Sequence, residues 1–112
     1  MFSRRVVVTG IGLVTPLGLG QDHNWSKLLK GESGISLLSS FDASDLACKI
    51  GGEIPSGHSN EGKLDLDEFF DTKEQRKLDR FIMLGLIAAQ EAVLDSKINL
   101  SDESILNNTG VI

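Results

Sequence analysis

The chain has no tyrosine, one tryptophan, one cysteine, two histidines and two prolines in 112 residues. Each scarcity closes something off. A single cysteine, Cys48, cannot form an internal disulfide, which fits a reducing compartment. His23, His58 and Cys48 are widely scattered and share no metal-ligand spacing, so no metal is expected. Few aromatic rings leave few platforms for stacking on bases. Cations are the minority too. The formal charge is −5 and the pI about 4.9. An acidic chain repels phosphate backbones, which argues against a nucleic-acid partner. No apolar run is long enough to span a membrane. Residues 1–5 before Val6-Val7-Val8 imitate the charged start of a signal peptide, and Ser3-Arg4-Arg5 the twin-arginine kind. But Thr9, Gly10, Gly12, Thr15 and Pro16 interrupt the apolar stretch, and no small-residue cleavage site follows. The cytoplasm is the expected location.

What is present describes at most one α/β domain, with 40% hydrophobic residues and a mean hydropathy near zero. Val6-Val7-Val8 reads as a strand buried on both faces. It runs into Gly10-x-Gly12 and then a turn at Pro16 and Gly18. A short helix is predicted next, with Asp22 as N-cap, Trp25, Leu28 and Leu29 on one face, and Gly31 just past its end. Residues 32–44 read as a loop, 46–54 as an extended edge weakened by Gly51 and Gly52, and 55–62 as a polar surface loop.

The strongest local signal is a long helix from Thr72 to about Ser96. Thr72 with Gln75, or Asp71 with Glu74, has capping-box spacing. From Phe81 to Ala89 no residue is polar, so burial on all sides is expected. The small residues Gly85, Ala88, Ala89 and Ala92 would let neighbours approach closely. One strand and one short helix are little cover for such an element. Residues 108–112 read as the start of a strand. Packing partners are therefore expected to be missing.

Candidate chemistry is sparse. Gly10-x-Gly12 lacks the third glycine of a dinucleotide fingerprint, since Thr15 stands there, and Pro16 and Gly18 intervene before any helix. Cys48 has Lys49 beside it, but adjacent strand residues point to opposite faces, so a structural cysteine is expected. His23 and His58 read as surface residues. Asp65, Asp67, Glu68 and Asp71 read as helix-start charge and a solvated face. The cations Lys73, Arg76, Lys77 and Arg80 fall at i, i+3, i+4 and i+7, one stripe of the long helix. Residues 72–80 carry a net +2, leaving −7 on the rest. Such a patch suits an acidic partner. The alternative is a solvated helix face, with the cations paired to Glu74 and Asp79.

Several segments together resemble one family. These are RRVVVTGIGLVTPLG at residues 4–18, Trp25-Ser26-Lys27-Leu28-Leu29, Gly31-Glu32-Ser33-Gly34-Ile35, Phe41-Asp42 and KEQRKLDRF at residues 73–81. In this order and spacing they are similar to the N-terminus of bacterial β-ketoacyl-[acyl-carrier-protein] synthases, the elongating condensing enzymes above all. The resemblance covers nearly the whole chain and is weakest over residues 56–62. It implies the N-terminal part of a thiolase-like αβαβα fold, incomplete here, with residues 1–112 a fragment of the synthase N-terminal domain. It implies fatty acid elongation by decarboxylative condensation of an acyl thioester with malonyl-carrier protein, without metal or organic cofactor, by a homodimer. The family's nucleophilic cysteine and two catalytic histidines follow later segments and have no match here, so the chain carries no catalytic residue and is expected to be inactive alone. Lys73, Arg76 and Lys77 match basic positions that help dock the acidic acyl carrier protein, which shifts the balance for this patch toward docking.

Met1 suggests a genuine start, with the truncation on the C-terminal side. Three other readings stay open: a non-catalytic module that recruits carrier protein, one piece of a split synthase, and, more distantly, a nucleotide-binding protein.

Overall fold

A computed structural model describes residues 4–112; the signal-like start at residues 1–3 lies outside them. Two small antiparallel sheets and a set of helices make up the chain. In the first sheet β1 (Val14–Thr15) pairs with β2 (Gly18–Leu19) around the Pro16 turn. Helix α1 (Gln21–Leu29) follows directly. In the second sheet β3 (Ile35–Leu37) pairs with β4 (Ile50–Gly52), with Ser36 opposite Gly51. Two 3-10 turns (Ser59–Glu61 and Leu66–Glu68) lead to α2 (Thr72–Gln75), α3 (Arg80–Ser96) and α4 (Glu103–Asn107).

Helix α3 is the spine, and the glycine pair is what fits against it. A methyl group at Gly12 would collide with the Ala88 carbonyl oxygen and stand 2.8 Å from the Ala92 nitrogen. One at Gly10 would meet the Ala92 carbonyl oxygen and lie 2.7 Å from the Ser96 nitrogen. The intervening N–H groups turn to side chains of the same helix. Ile11 donates to Asp95 Oδ2 (3.0 Å) and Leu13 to Glu91 Oε2 (2.8 Å). Glu91 Oε1 also accepts the N–H of Gln21 (2.7 Å), the first residue of α1.

That contact corrects the expected start of α1. The N-cap is Gly20 at φ 89°, not Asp22, and no side chain of α1 caps it. Glu91 supplies an acceptor to the exposed helix terminus instead. The far end is as expected. Gly31 takes φ 70°, and Glu32 N–H bonds back to the Lys27 carbonyl (3.1 Å), a Schellman closure.

Asn24 is the one fully buried side chain among the described residues, at 1% exposure. Its Nδ2 donates to the Gly18 (3.0 Å) and Gly20 (2.7 Å) carbonyls, and its Oδ1 accepts from the Thr15 hydroxyl. It ties the β1–β2 turn to α1. The apolar positions of α1, by contrast, are exposed: Trp25 is 62% and Leu29 70% accessible.

Other expectations change as well. Val6-Val7-Val8 is not a strand but exposed irregular backbone, because no neighbouring strand offers it hydrogen bonds. The supposed loop at 32–44 contains β3, and only Ile50–Gly52 of the expected edge is a strand. Residues 108–112 form no strand; α4 precedes them. The long helix is two helices. Asp71 and Glu74 close a capping box around α2 (Glu74 N to Asp71 Oδ1, 2.7 Å; Asp71 N to Glu74 Oε2, 3.1 Å), so the second register is the correct one. The helix then stops, and Asp79, extended at φ −66° and ψ 149°, starts α3.

The all-round burial expected of Phe81–Ala89 is confined to Met83 and Ile87, one turn apart, while Phe81 is 71% exposed. With Ala43 and Leu64 these are the buried hydrophobic residues among those described. The surface totals 9014 Å², against about 6,000 Å² for a compact chain of this mass. The radius of gyration is 17.5 Å, against about 13 Å. No described helix is long and apolar enough to cross a membrane.

Candidate functional site

The expected docking cations sit at the joint between α2 and α3. Lys73 is in α2, Arg76 is its C-cap, Lys77 lies in the connecting turn, and Arg80 is the first residue of α3. They do not form a stripe on one helix, because the helix breaks after Gln75. The backbone turns through Lys77 N–H to Glu74 O (2.9 Å) and Leu78 N–H to Glu74 O (3.1 Å). It restarts where the Asp79 carbonyl accepts from Ile82 (3.0 Å) and Met83 (3.2 Å). Asp79, the other expected partner of the cations, is instead the N-cap residue of α3, with no capping bond from its side chain. Its preference for N-cap positions was the signal that could have located the break.

All four cations are exposed. Among the described residues none of them lies within 4.0 Å of a carboxylate; the ion pairs are Lys27–Glu32, His58–Asp65 and Lys63–Glu61. Glu74 is committed to its capping box, so the internal pairing that would make this an ordinary solvated face is not formed. Four cations without a carboxylate partner, spread from α2 across the turn to the start of α3, present a local positive field on an acidic chain. Arg80 also lines an open cleft of about 790 Å³ with Ser39, Ser40, Glu53 and Ser56.

Glu53 is the strongly shifted acid of that cleft. Ser39 and Ser40 both donate backbone N–H (2.9 Å each) and hydroxyl groups to its two oxygens. The Ser40 hydroxyl and N–H, then those of Ser39, hold its carboxyl down at about 2. These bonds pin the 39–40 loop to the residue after β4. They leave Glu53 a firm anion, unsuited to giving or taking a proton at neutral pH.

The remaining candidates separate cleanly. The Cys48 thiol is exposed and donates to the Ile50 carbonyl (3.4 Å), and no described histidine bonds to it. Gly10 and Gly12 pack on helix backbone and open onto no helix N-terminus, in line with rejecting the dinucleotide reading. His23 is not a free surface residue. Its Nε2 lies 3.1 Å from the Leu17 carbonyl, and its ring fills the space beside Gly18 and Gly62. His58 is exposed but not alone. The fold brings it to Asp65 and Glu68, a grouping that the sequence spacing did not announce.

Comparison with known proteins places the geometry in context. The family described as "Beta-ketoacyl synthase, N-terminal domain" matches residues 3–112. The chain is 38% identical over 109 residues to a 3-oxoacyl-[acyl-carrier-protein] synthase 2 of Rhizobium meliloti (strain 1021), covering 97% of this chain and 26% of that protein. It is 37% identical over 114 residues to the protein of the same name from Synechocystis sp. (strain ATCC 27184 / PCC 6803 / Kazusa), with the same coverage. The Vibrio harveyi counterpart is 35% identical over 93% of the chain and 23% of its own length. The chain thus spans about a quarter of these relatives.

Proposed function

Since the chain belongs to the β-ketoacyl synthase N-terminal domain family, we propose that it is the N-terminal quarter of a 3-oxoacyl-[acyl-carrier-protein] synthase of fatty acid biosynthesis. The observation that carries this reading is the match to relatives of that name over 97% of the chain and 26% of their length.

Two physical features support incompleteness. The surface excess is about 3,000 Å², the extent expected when packing partners are absent. And Val6-Val7-Val8, a sequence suited to a strand covered on both faces, stands exposed and unpaired. In the complete enzyme both would be covered within a thiolase-like αβαβα fold, in a cytoplasmic homodimer.

The reaction joins an acyl group, held as a thioester on a cysteine, to the carbanion left when malonyl-carrier protein loses carbon dioxide. That needs a thiolate nucleophile with a base in reach, and donors to the developing oxyanion. The exposed Cys48 thiol donates to the Ile50 carbonyl and bonds to no described histidine, and the family's catalytic cysteine and histidines have no match here, so the chain alone is inactive. Its contribution is docking. Lys73, Arg76 and Lys77 meet the acidic carrier protein at the α2–α3 turn; their lack of internal partners supports this.

The test is condensation of acyl- and malonyl-carrier protein by purified chain, alone and with the remaining length of the enzyme supplied as a second polypeptide. No 3-oxoacyl product is expected alone, and product on complementation. Product from the chain alone would overturn the incompleteness. No product from either mixture, with carrier protein still bound, would favour a non-catalytic recruiting module.

A further inference from the structure

The loop between β4 and α2 gathers three metal-binding side chains that lie apart in sequence. The backbone bonds Leu64 N–H to Pro55 O (2.8 Å) and Gly57 N–H to Leu64 O (3.0 Å) zip the loop across the Ser56–Leu64 bridge. Leu64, 3% exposed, anchors it to the protein. This sets the residues heading the two 3-10 turns, His58 and Asp65, opposite one another. Glu68 ends the second turn and swings back toward the first.

The two carboxylates are aimed by their other contacts, while His58 is held only by its place at the head of the first turn. Asp65 Oδ1 accepts from Asp67 N–H (3.0 Å), which leaves Oδ2 facing His58 Nδ1 at 4.0 Å. Ser59 N–H (3.5 Å) and the Ser59 hydroxyl donate to the two oxygens of Glu68. One ligand atom from each of the three residues lies within 4.8 Å of the others.

Among the described residues the two carboxylates have no lysine or arginine partner, and their nearest cationic group is His58; the nearby Lys63 pairs with Glu61 (2.5 Å). The 4.0 Å gap between His58 and Asp65 is too long for a hydrogen bond. It is of the order that separates two ligands of one ion, since ligands at about 2.1 Å in a tetrahedron stand roughly 3.4 Å apart. Closing the set takes about an ångström of movement by exposed side chains. One imidazole and two carboxylates suit a borderline first-row divalent ion, with open positions left for water.

We propose that His58, Asp65 and Glu68 form a surface binding site for a first-row divalent metal, Zn²⁺ being the best match. The site is built wholly within residues 55–68 and does not depend on the synthase reading.

Calorimetric titration of the metal-stripped chain with Zn²⁺ tests it. One equivalent is expected to bind. His58→Ala and Glu68→Gln should each weaken binding roughly tenfold or more, and Cys48→Ser should leave it unchanged. Co²⁺ bound in place of Zn²⁺ should give d–d absorption without a thiolate charge-transfer band. Circular dichroism checks that each variant keeps the parent fold; if one does not, Asp65→Asn, which retains a capping side chain, replaces it. No stoichiometric binding overturns the site. So does binding that survives these substitutions, binding lost in Cys48→Ser, or displacement of Zn²⁺ by an equal concentration of Mg²⁺ or Ca²⁺.

Discussion

The Glu91 carboxylate accepts the backbone N–H of Gln21 at 2.7 Å, so one helix is capped from the middle of another, 70 residues away in sequence. The same carboxylate holds Leu13 N–H at 2.8 Å. Both bonds are charge-assisted and partly buried. Glu91→Ala should therefore cost about 2–3 kcal/mol, read as a lower urea midpoint with unchanged m. Asp22→Ala, at the position that looks like the N-cap, should cost only about 0.5 kcal/mol. Equal effects would show that Glu91 does not cap α1.

Glycine substitutions should split in sign. Gly12→Ala drives a methyl group into the Ala88 carbonyl and should lift residues 10–13 off α3, costing about 1–3 kcal/mol. Gly85 has nothing within 4 Å of where its methyl would go. Gly85→Ala in this chain should stabilise α3 by about 0.5–1 kcal/mol. Thermal unfolding of the two variants decides it. In a full-length synthase the Gly85 gain should vanish or reverse if another element covers that face.

Acid should release the 39–40 loop late. The Glu53 carboxyl is held at about 2 by Ser40 and Ser39, below an ordinary glutamate value of 4.5. A depressed acid contributes stability that is fully present above pH 4.5 and is lost as pH falls toward 2. The group is solvent-accessible, so the contribution is small. The amide resonances of Ser39 and Ser40 should titrate together with a midpoint near 2. A midpoint near 4.5 would show that the serine contacts are not kept in solution.

Carrier-protein binding should follow charge. Arg76→Glu should weaken it by about three- to tenfold at low salt, and added salt should shrink the difference. Lys30→Glu, an exposed cation at the end of α1, is the control and should change little. Binding indifferent to Arg76→Glu would remove the α2–α3 turn from the interface.

What the sequence made legible was local. Gly31 announced the end of α1, because only a left-handed residue completes that turn cheaply. Asp71 and Glu74, the second of two candidate registers, marked where helix begins but not that it stops at Gln75, and the order of motifs announced the family. What it concealed depends on pairs far apart. Asn24 looks like any polar residue of an exposed helix until the carbonyls of Gly18 and Gly20 close over it. Glu91 looks like a surface acid until residues 13 and 21 arrive. The cations Lys73, Arg76, Lys77 and Arg80 do not share one helical stripe, since α2 ends at Gln75 and α3 starts only at Arg80. Val6-Val7-Val8 failed differently: β-branched residues describe a strand only where neighbouring strands bond to it.

The seating of Gly10 and Gly12 on α3 also sets an order of events during synthesis. The bonds that hold this segment join Leu13 to Glu91 and Ile11 to Asp95, 78 and 84 positions apart. At roughly 5–20 residues per second, the ribosome takes about 4–16 s to make that span. This segment is thus made well before the helix that seats it, and its Ile11 and Leu13 N–H groups wait unpaired until α3 is complete.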